Sequence, residues 1–327
     1  MITDKKEALE AVRENEMALL NVSEELRNNK EFMLEVVREN LMTLEYLSEE
    51  LRGNKEFMLE VVREYGGALA YVSEELKGDE EVVLAAVGQN GYALRYASEE
   101  MIENKEVVLV AISQDGEPFS YASEKLTRDE EFILEAENVN VKIVKYISEE
   151  FKENKEFMLK VVEQNGRALE YASKELKGDK DVVLAAVRQN GWALYYASKE
   201  LKDDKDVVLA AVKQNGLALE YASDKLKGDK EIVLEAVKQN PEAIYKAIKE
   251  NNGRMEFILE GDKEFILEAA KYIGQDVLGY ASKELREDKD VLAVVETTEI
   301  KKRLVKGIAD KKETLGNKDL EMEALKE

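Results

Sequence analysis

Apolar and polar positions recur along this chain in one order with a period of 25 residues. Asp4, Asn29, Asn54, Asp79, Asn104, Asp129, Asn154, Asp179, Asp204 and Asp229 mark the period, and the series resumes less regularly at Asp262 and Asp288. A representative unit, Asp204 to Gly228, reads DKDVVLAAVKQNGLALEYASDKLKG and divides into two halves of helical pattern. The first half opens on Asp or Asn, whose side-chain oxygen can accept from the free N–H groups of a first helical turn. Two positions on, Asp or Glu stands in every unit but the first, which has Lys6, and a negative charge there complements the N-terminal dipole. Val207, Val208, Leu209, Ala211 and Val212 follow, a stripe broad enough for a helix packed on two sides. The Leu of this stripe is unbroken through eleven units, from Leu9 to Leu267.

Asn-Gly, as in Asn215-Gly216, is expected to close the first helix, because both residues tolerate a left-handed C-terminal backbone. Asn240-Pro241 instead suits Asn as a cap and Pro as the first residue of the next helix. In the second half Ala218, Leu219, Tyr221, Ala222 and Leu226 share one helical face. Ser223 and its equivalents could alternatively cap a separate final turn, since Ser favours helix starts over interiors. Such a unit cannot bury its apolar face alone and needs copies on either side. The expected architecture is all-α, an α-solenoid of stacked two-helix repeats with a 25-residue period. Ten regular repeats over residues 1–253, irregular repeats over 254–295, and C-terminal capping helices or a tail over 296–327 complete the reading.

The pattern DKxVVLAAVxQNGxALxYASxEL, seen in Asp79 to Met101, Asp179 to Leu201 and Asp204 to Leu226, closely resembles the tandem helical repeats called domain of unknown function 4116. The resemblance covers nearly the whole chain, from about Asp4 to Val295. That family looks like a repeat module of bacterial proteins, including some effectors of intracellular pathogens, and of protists and large viruses. It implies an interaction scaffold and carries no catalytic motif to transfer. The chain departs from the pattern at Pro118, where Ala is usual, at Glu137, where Val is usual, and in the extra residues around Asn251 to Gly261.

Composition narrows the chemistry. The chain has no Cys and no His, which removes disulfides, thiolate nucleophiles, imidazole bases and the usual zinc sites together. We therefore expect no enzyme activity and no cofactor. The net charge is −23, a field that repels phosphate backbones and anionic lipid headgroups, so direct nucleic-acid and membrane partners are not expected. The excess is uneven: 35 acids face 16 bases in residues 1–150, against 36 and 32 in residues 151–327. Apolar runs such as Val107 to Ile112 are too short to span a bilayer, and no basic apolar leader precedes the first repeat. A cytoplasmic protein, or one secreted without a cleaved signal peptide, is the expectation.

Ser and Tyr recur at the same place in most units, Ser98, Ser198 and Ser223 or Tyr96, Tyr171, Tyr196 and Tyr221 among them. A residue demanded by every layer answers a packing question, with Tyr half-buried between layers and its hydroxyl at the edge. Paired acids such as Glu24-Glu25, Glu74-Glu75 and Glu99-Glu100 form a solvated face without the ladder of a calcium loop. Recognition instead needs positions that vary while the frame repeats. Two rows do so: the residue just after the turn and the residue three further on. Midway along the array these rows hold Tyr92, Arg95, Arg167, Trp192, Tyr195 and Leu217, rich in the Trp, Tyr and Arg that dominate binding hot spots. They are the candidate partner-binding residues, for a protein or peptide lying along one face. The alternative function is an acidic mimic of nucleic acid that occupies a DNA- or RNA-binding protein through the N-terminal acids. Glu137, in a Val slot followed by Asn138, Val139 and Asn140, is expected to kink its helix.

Overall fold

The computed structural model describes residues 1–243 and 261–324, with side chains as far as Lys306 and at Ile308. They belong to two compact units, Met1–Val161 and Val162–Glu327, each a stack of the 25-residue repeat.

The repeat that begins at Asp79 shows how the sequence builds the unit. Asp79 caps the ten-residue helix Glu80–Gln89, its carboxylate accepting from Val82 N–H at 3.1 Å. That helix stops at Asn90, which is extended (φ −148°, ψ 105°), not left-handed. Asn90 Oδ1 accepts from Tyr92 N–H at 3.1 Å and so caps a second element, the 3-10 helix Gly91–Tyr96. Ala97 is again extended, and Ser98 Oγ accepts from Met101 N–H at 3.4 Å to cap a third, the single-turn helix Glu99–Ile102. The second half of the repeat is thus two short pieces, with Ser starting the last. In the repeats holding Leu176–Gly178 and Leu201–Asp203 that last turn is 3-10 as well.

Glycine after Asn has a different cause from the one expected. A Cβ on Gly91 would lie 2.0 Å from the carbonyl oxygen of Ala111 in the next repeat, and on Gly216 2.2 Å from that of Ala236. Neither glycine has a positive φ; they are demanded by backbone passing close to backbone. The same approach carries polar links. Gln214 Oε1 accepts from Gly191 N–H at 2.6 Å, and its Nε2 donates to Gln189 C=O at 3.3 Å. Ser98 N–H donates to Lys77 C=O, and Ser223 N–H to Lys202 C=O, both at 2.9 Å.

Between the elements runs the core: Val82, Val83, Ala86, Val87, Ala93 and Leu94 in one repeat and their equivalents in the others are essentially inaccessible. The unbroken Leu lies at the edge of this core, buried at Leu59 but half-exposed at Leu84 and Leu209. Lysines at the start of the long helices join successive repeats on the outside. Lys180 reaches Asp204 at 2.8 Å and Asp206 at 2.9 Å, and Lys205 repeats this with Asp229 and Glu231. At Asp206 and Glu231 the acid two places past the cap therefore serves the neighbouring lysine as well as its own dipole.

Three irregular regions differ from expectation or extend it. Glu137 does not kink its helix: Glu130–Val139 has the usual ten residues and the usual Asn140 stop. Its carboxylate is instead buried in the Val slot. Part of the insertion around Asn251 to Gly261, and the end of the 1–253 segment, lie outside the described residues. Beyond it, Asp262 caps the helix Lys263–Ile273, which packs on Lys230–Gln239 as adjacent repeats do, and Lys230 pairs with Asp262. The repeat register is thus recovered in space although Asp229 and Asp262 are more than 25 residues apart. Finally, the helix that opens at Lys289 runs through position 296 to Ala324, because Glu299-Ile300 replaces the Asn-Gly stop. No separate element begins at 296. Among the described residues no helix is long and apolar enough to cross a membrane.

The molecule is an all-α solenoid of stacked helical repeats.

Candidate functional site

A 3-10 helix has three residues per turn, so side chains at i and i+3 eclipse one another. In Gly191–Tyr196 this turns Gly191, Ala193 and Leu194 into the core and leaves Trp192 and Tyr195 outside, 39% and 56% exposed. The two variable rows of the sequence thereby become one outward ridge. Most large apolar side chains exposed outside the C-terminal helix stand on such ridges. Met17, Leu20, Met42 and Tyr92 are in the first unit, and Trp192 and Tyr195 in the second. Met1, Leu41, Tyr96 and Val139 are the exceptions among the described residues.

Tyr92 and Arg95 belong to the first unit. The Tyr92 hydroxyl donates to Glu117 Oε2 at 3.1 Å, and this bond, with a smaller contribution from burial, pushes its pKa up to about 12. The Arg95 guanidinium lies over two rings, 5.4 Å from the centroid of Tyr96 and 5.6 Å from that of Tyr121. Both side chains are already engaged within the unit, and they stay accessible at its surface.

Arg167, Trp192, Tyr195 and Leu217 belong to the second unit. There the structure brings Arg167, Trp192 and Tyr195 into one open pocket of about 420 Å³, together with Asn190, Tyr196 and Tyr221. The side chains come from three consecutive repeats. Tyr195 meets Tyr196 at 5.0 Å and Tyr221 at 5.1 Å, both edge to face, and Trp192 meets Tyr221 at 5.7 Å. Such contacts hold rings in place beyond what burial alone achieves. The Tyr196 hydroxyl donates to Glu170 Oε2 at 2.9 Å; burial first, then this bond, pushes its pKa up to about 12, so it remains a donor. Lys202 Nζ donates to Tyr195 C=O at 2.6 Å and lies 5.5 Å from the Tyr195 ring centroid, while burial lowers its pKa. The Arg167 side chain makes no ion pair or hydrogen bond among the described residues. Leu217 is half-buried in the next 3-10 helix, outside the pocket lining.

Sequence reasoning passed over Tyr196 and Tyr221 because they belong to the recurring Tyr ladder. The usable signal was local: only here do Trp192, Tyr195 and Tyr196 crowd one short element. The paired acids of each unit sit where their backbone sends them, in the first turn of the single-turn helices, as Glu74 and Glu75 after Ser73. No group of acids among the described residues is arranged to hold a metal ion.

Five consecutive segments, 4–52, 54–102, 104–152, 154–202 and 204–251, match the model of the family described as domain of unknown function (DUF4116). Each match spans two of the 25-residue repeats. No curated protein and no solved structure matches the chain. With matched segments over most of its length, the chain belongs to the DUF4116 family.

Proposed function

We propose that the chain is a non-enzymatic repeat scaffold that binds a protein or peptide partner along the ridge of its 3-10 helices. One observation carries this reading: outside the C-terminal helix, most of the exposed large apolar and aromatic side chains among the described residues collect on the ridge rows of the 3-10 helices. Singly scattered apolar residues need no explanation, but a row of them at one structural position does. The frame behind the ridge is built from repeated caps and repeated core residues, so ridge residues can vary without cost to the fold. In the second unit the ridge supplies Trp192, Tyr195 and Arg167, residue types that concentrate binding energy.

Replacing Arg167, Trp192 and Tyr195 together by Ala tests the reading. Helical circular dichroism and the melting temperature should stay close to those of the parent chain, while proteins retained from a cell lysate should be lost. Unchanged retention by a folded triple variant would remove this site from the function.

A further inference from the structure

The pocket of the second unit has a charge as well as a shape. Four rings form its walls, and two cations border them: Lys202, held on Tyr195, and Arg167, which has no partner among the described residues. Glu170, a carboxylate beside the pocket, holds the Tyr196 hydroxyl. A cationic guest would meet Arg167 unscreened, whereas a carboxylate would find a planar guanidinium able to bind it in bidentate fashion. The net charge of −23 does not forbid an acidic guest here. Residues 151–327 carry 36 acids against 32 bases, and beyond about 8 to 10 Å exposed charges are largely screened at physiological salt. The next ridge residue, Leu217, is half-exposed in the following 3-10 helix.

Resting on the reading of the ridge as a peptide-binding face, we propose that this pocket receives an acidic peptide segment. An aromatic or large aliphatic side chain sits among Trp192, Tyr195 and Tyr221, and the carboxylate of an adjacent Asp or Glu pairs with Arg167.

Trp192 is the only tryptophan in the chain, so intrinsic fluorescence reports on this pocket without a label. The full chain is titrated with acetyl-Ala-Asp-Phe-Ala-amide and acetyl-Ala-Phe-Asp-Ala-amide, then with the same peptides carrying Asn or Lys for Asp, and with acetyl-Ala-Ala-Phe as the free acid. At least one Asp peptide should change the Trp192 emission saturably, and its Asn form should bind about tenfold more weakly, as expected for loss of a hydrogen bond to a charged group. Arg167→Leu should erase the difference between Asp and Asn, and Arg167→Lys should restore part of it. Equal binding of Asp and Asn peptides, preference for Lys, response to the free acid alone, or no response up to millimolar peptide would each overturn the proposal. The two readings fail separately: if Trp192→Ala abolishes partner capture and Arg167→Leu does not, the ridge binds a partner but not through a carboxylate, whereas capture unchanged in both variants would overturn the ridge reading itself.

Discussion

At the residue scale, two positions show what close stacking demands. Gly91 has room for nothing more, because the carbonyl that a methyl group would strike is backbone of the following repeat. Gly67, one place along in the equivalent 3-10 helix, has nothing within 4 Å of an added Cβ. Gly91→Ala should therefore cost about 1 to 3 kcal/mol through overpacking, while Gly67→Ala should be neutral or stabilise by roughly 0.5 to 1 kcal/mol. Urea unfolding of the two variants separates this account from one based on glycine flexibility, in which both would lose stability alike. Glu137 is the converse, a charge where the frame wants a methyl-bearing side chain. It is 3% exposed, its Oε1 has no hydrogen-bond partner, and burial raises its pKa from 4.5 to about 7. The folded chain thus holds this proton more tightly than the unfolded chain does. Its contribution is unpenalised below about pH 4.5 and is lost progressively as pH rises to about 7. Glu137→Val should gain more stability at pH 8 than at pH 5; an equal gain at both would show that the carboxylate is not titrating in that window.

At the element scale, the regular repeat is three short helices, and in the one that begins at Asp79 each has its own cap: Asp79, then Asn90, then Ser98. None is long enough to persist unaided. The caps place breaks where side chain and backbone meet within two or three residues, and that is why both the 25-residue period and the helix starts were legible. The division of the second half was less so. Tyr221, Ala222 and Leu226 satisfy a continuous helical face, and only the extended backbone of Ala222 (φ −68°, ψ 162°) makes Ser223 a start instead of an interior residue. Ser98→Ala removes the side-chain acceptor of Met101 N–H, which also donates to Ser98 C=O at 3.0 Å, and leaves the bond from residue 98 N–H to Lys77 C=O intact. It should cost about 1 kcal/mol, measured as a lower urea midpoint with helical content retained. A loss confined to baseline noise would mean that the inter-repeat backbone bond, not the cap, starts the final turn.

At the scale of the whole molecule, stability is shared between neighbours. Val182, Val183, Ala186 and Leu194 are inaccessible in the stack, yet within their own repeat they have only one another and a helix of ten residues. A synthetic peptide of residues 179–203 should show no helical circular dichroism in water at 25 °C, whereas the full chain should be strongly helical. A folded single repeat would contradict the cooperative origin of the core.

The amino-acid sequence by itself determined the period, the helical class, the Asp or Asn cap that opens each repeat and the outward rows, because each rests on spacing or on a side chain reaching its own backbone. Tertiary structure alone decided the rest. The need for Gly91, the burial of Glu137, the convergence of Tyr196 and Tyr221 on Arg167 and Trp192, and the seating of Lys263–Ile273 on Lys230–Gln239 all depend on atoms from another repeat. Those atoms acquire positions only when the repeats have stacked.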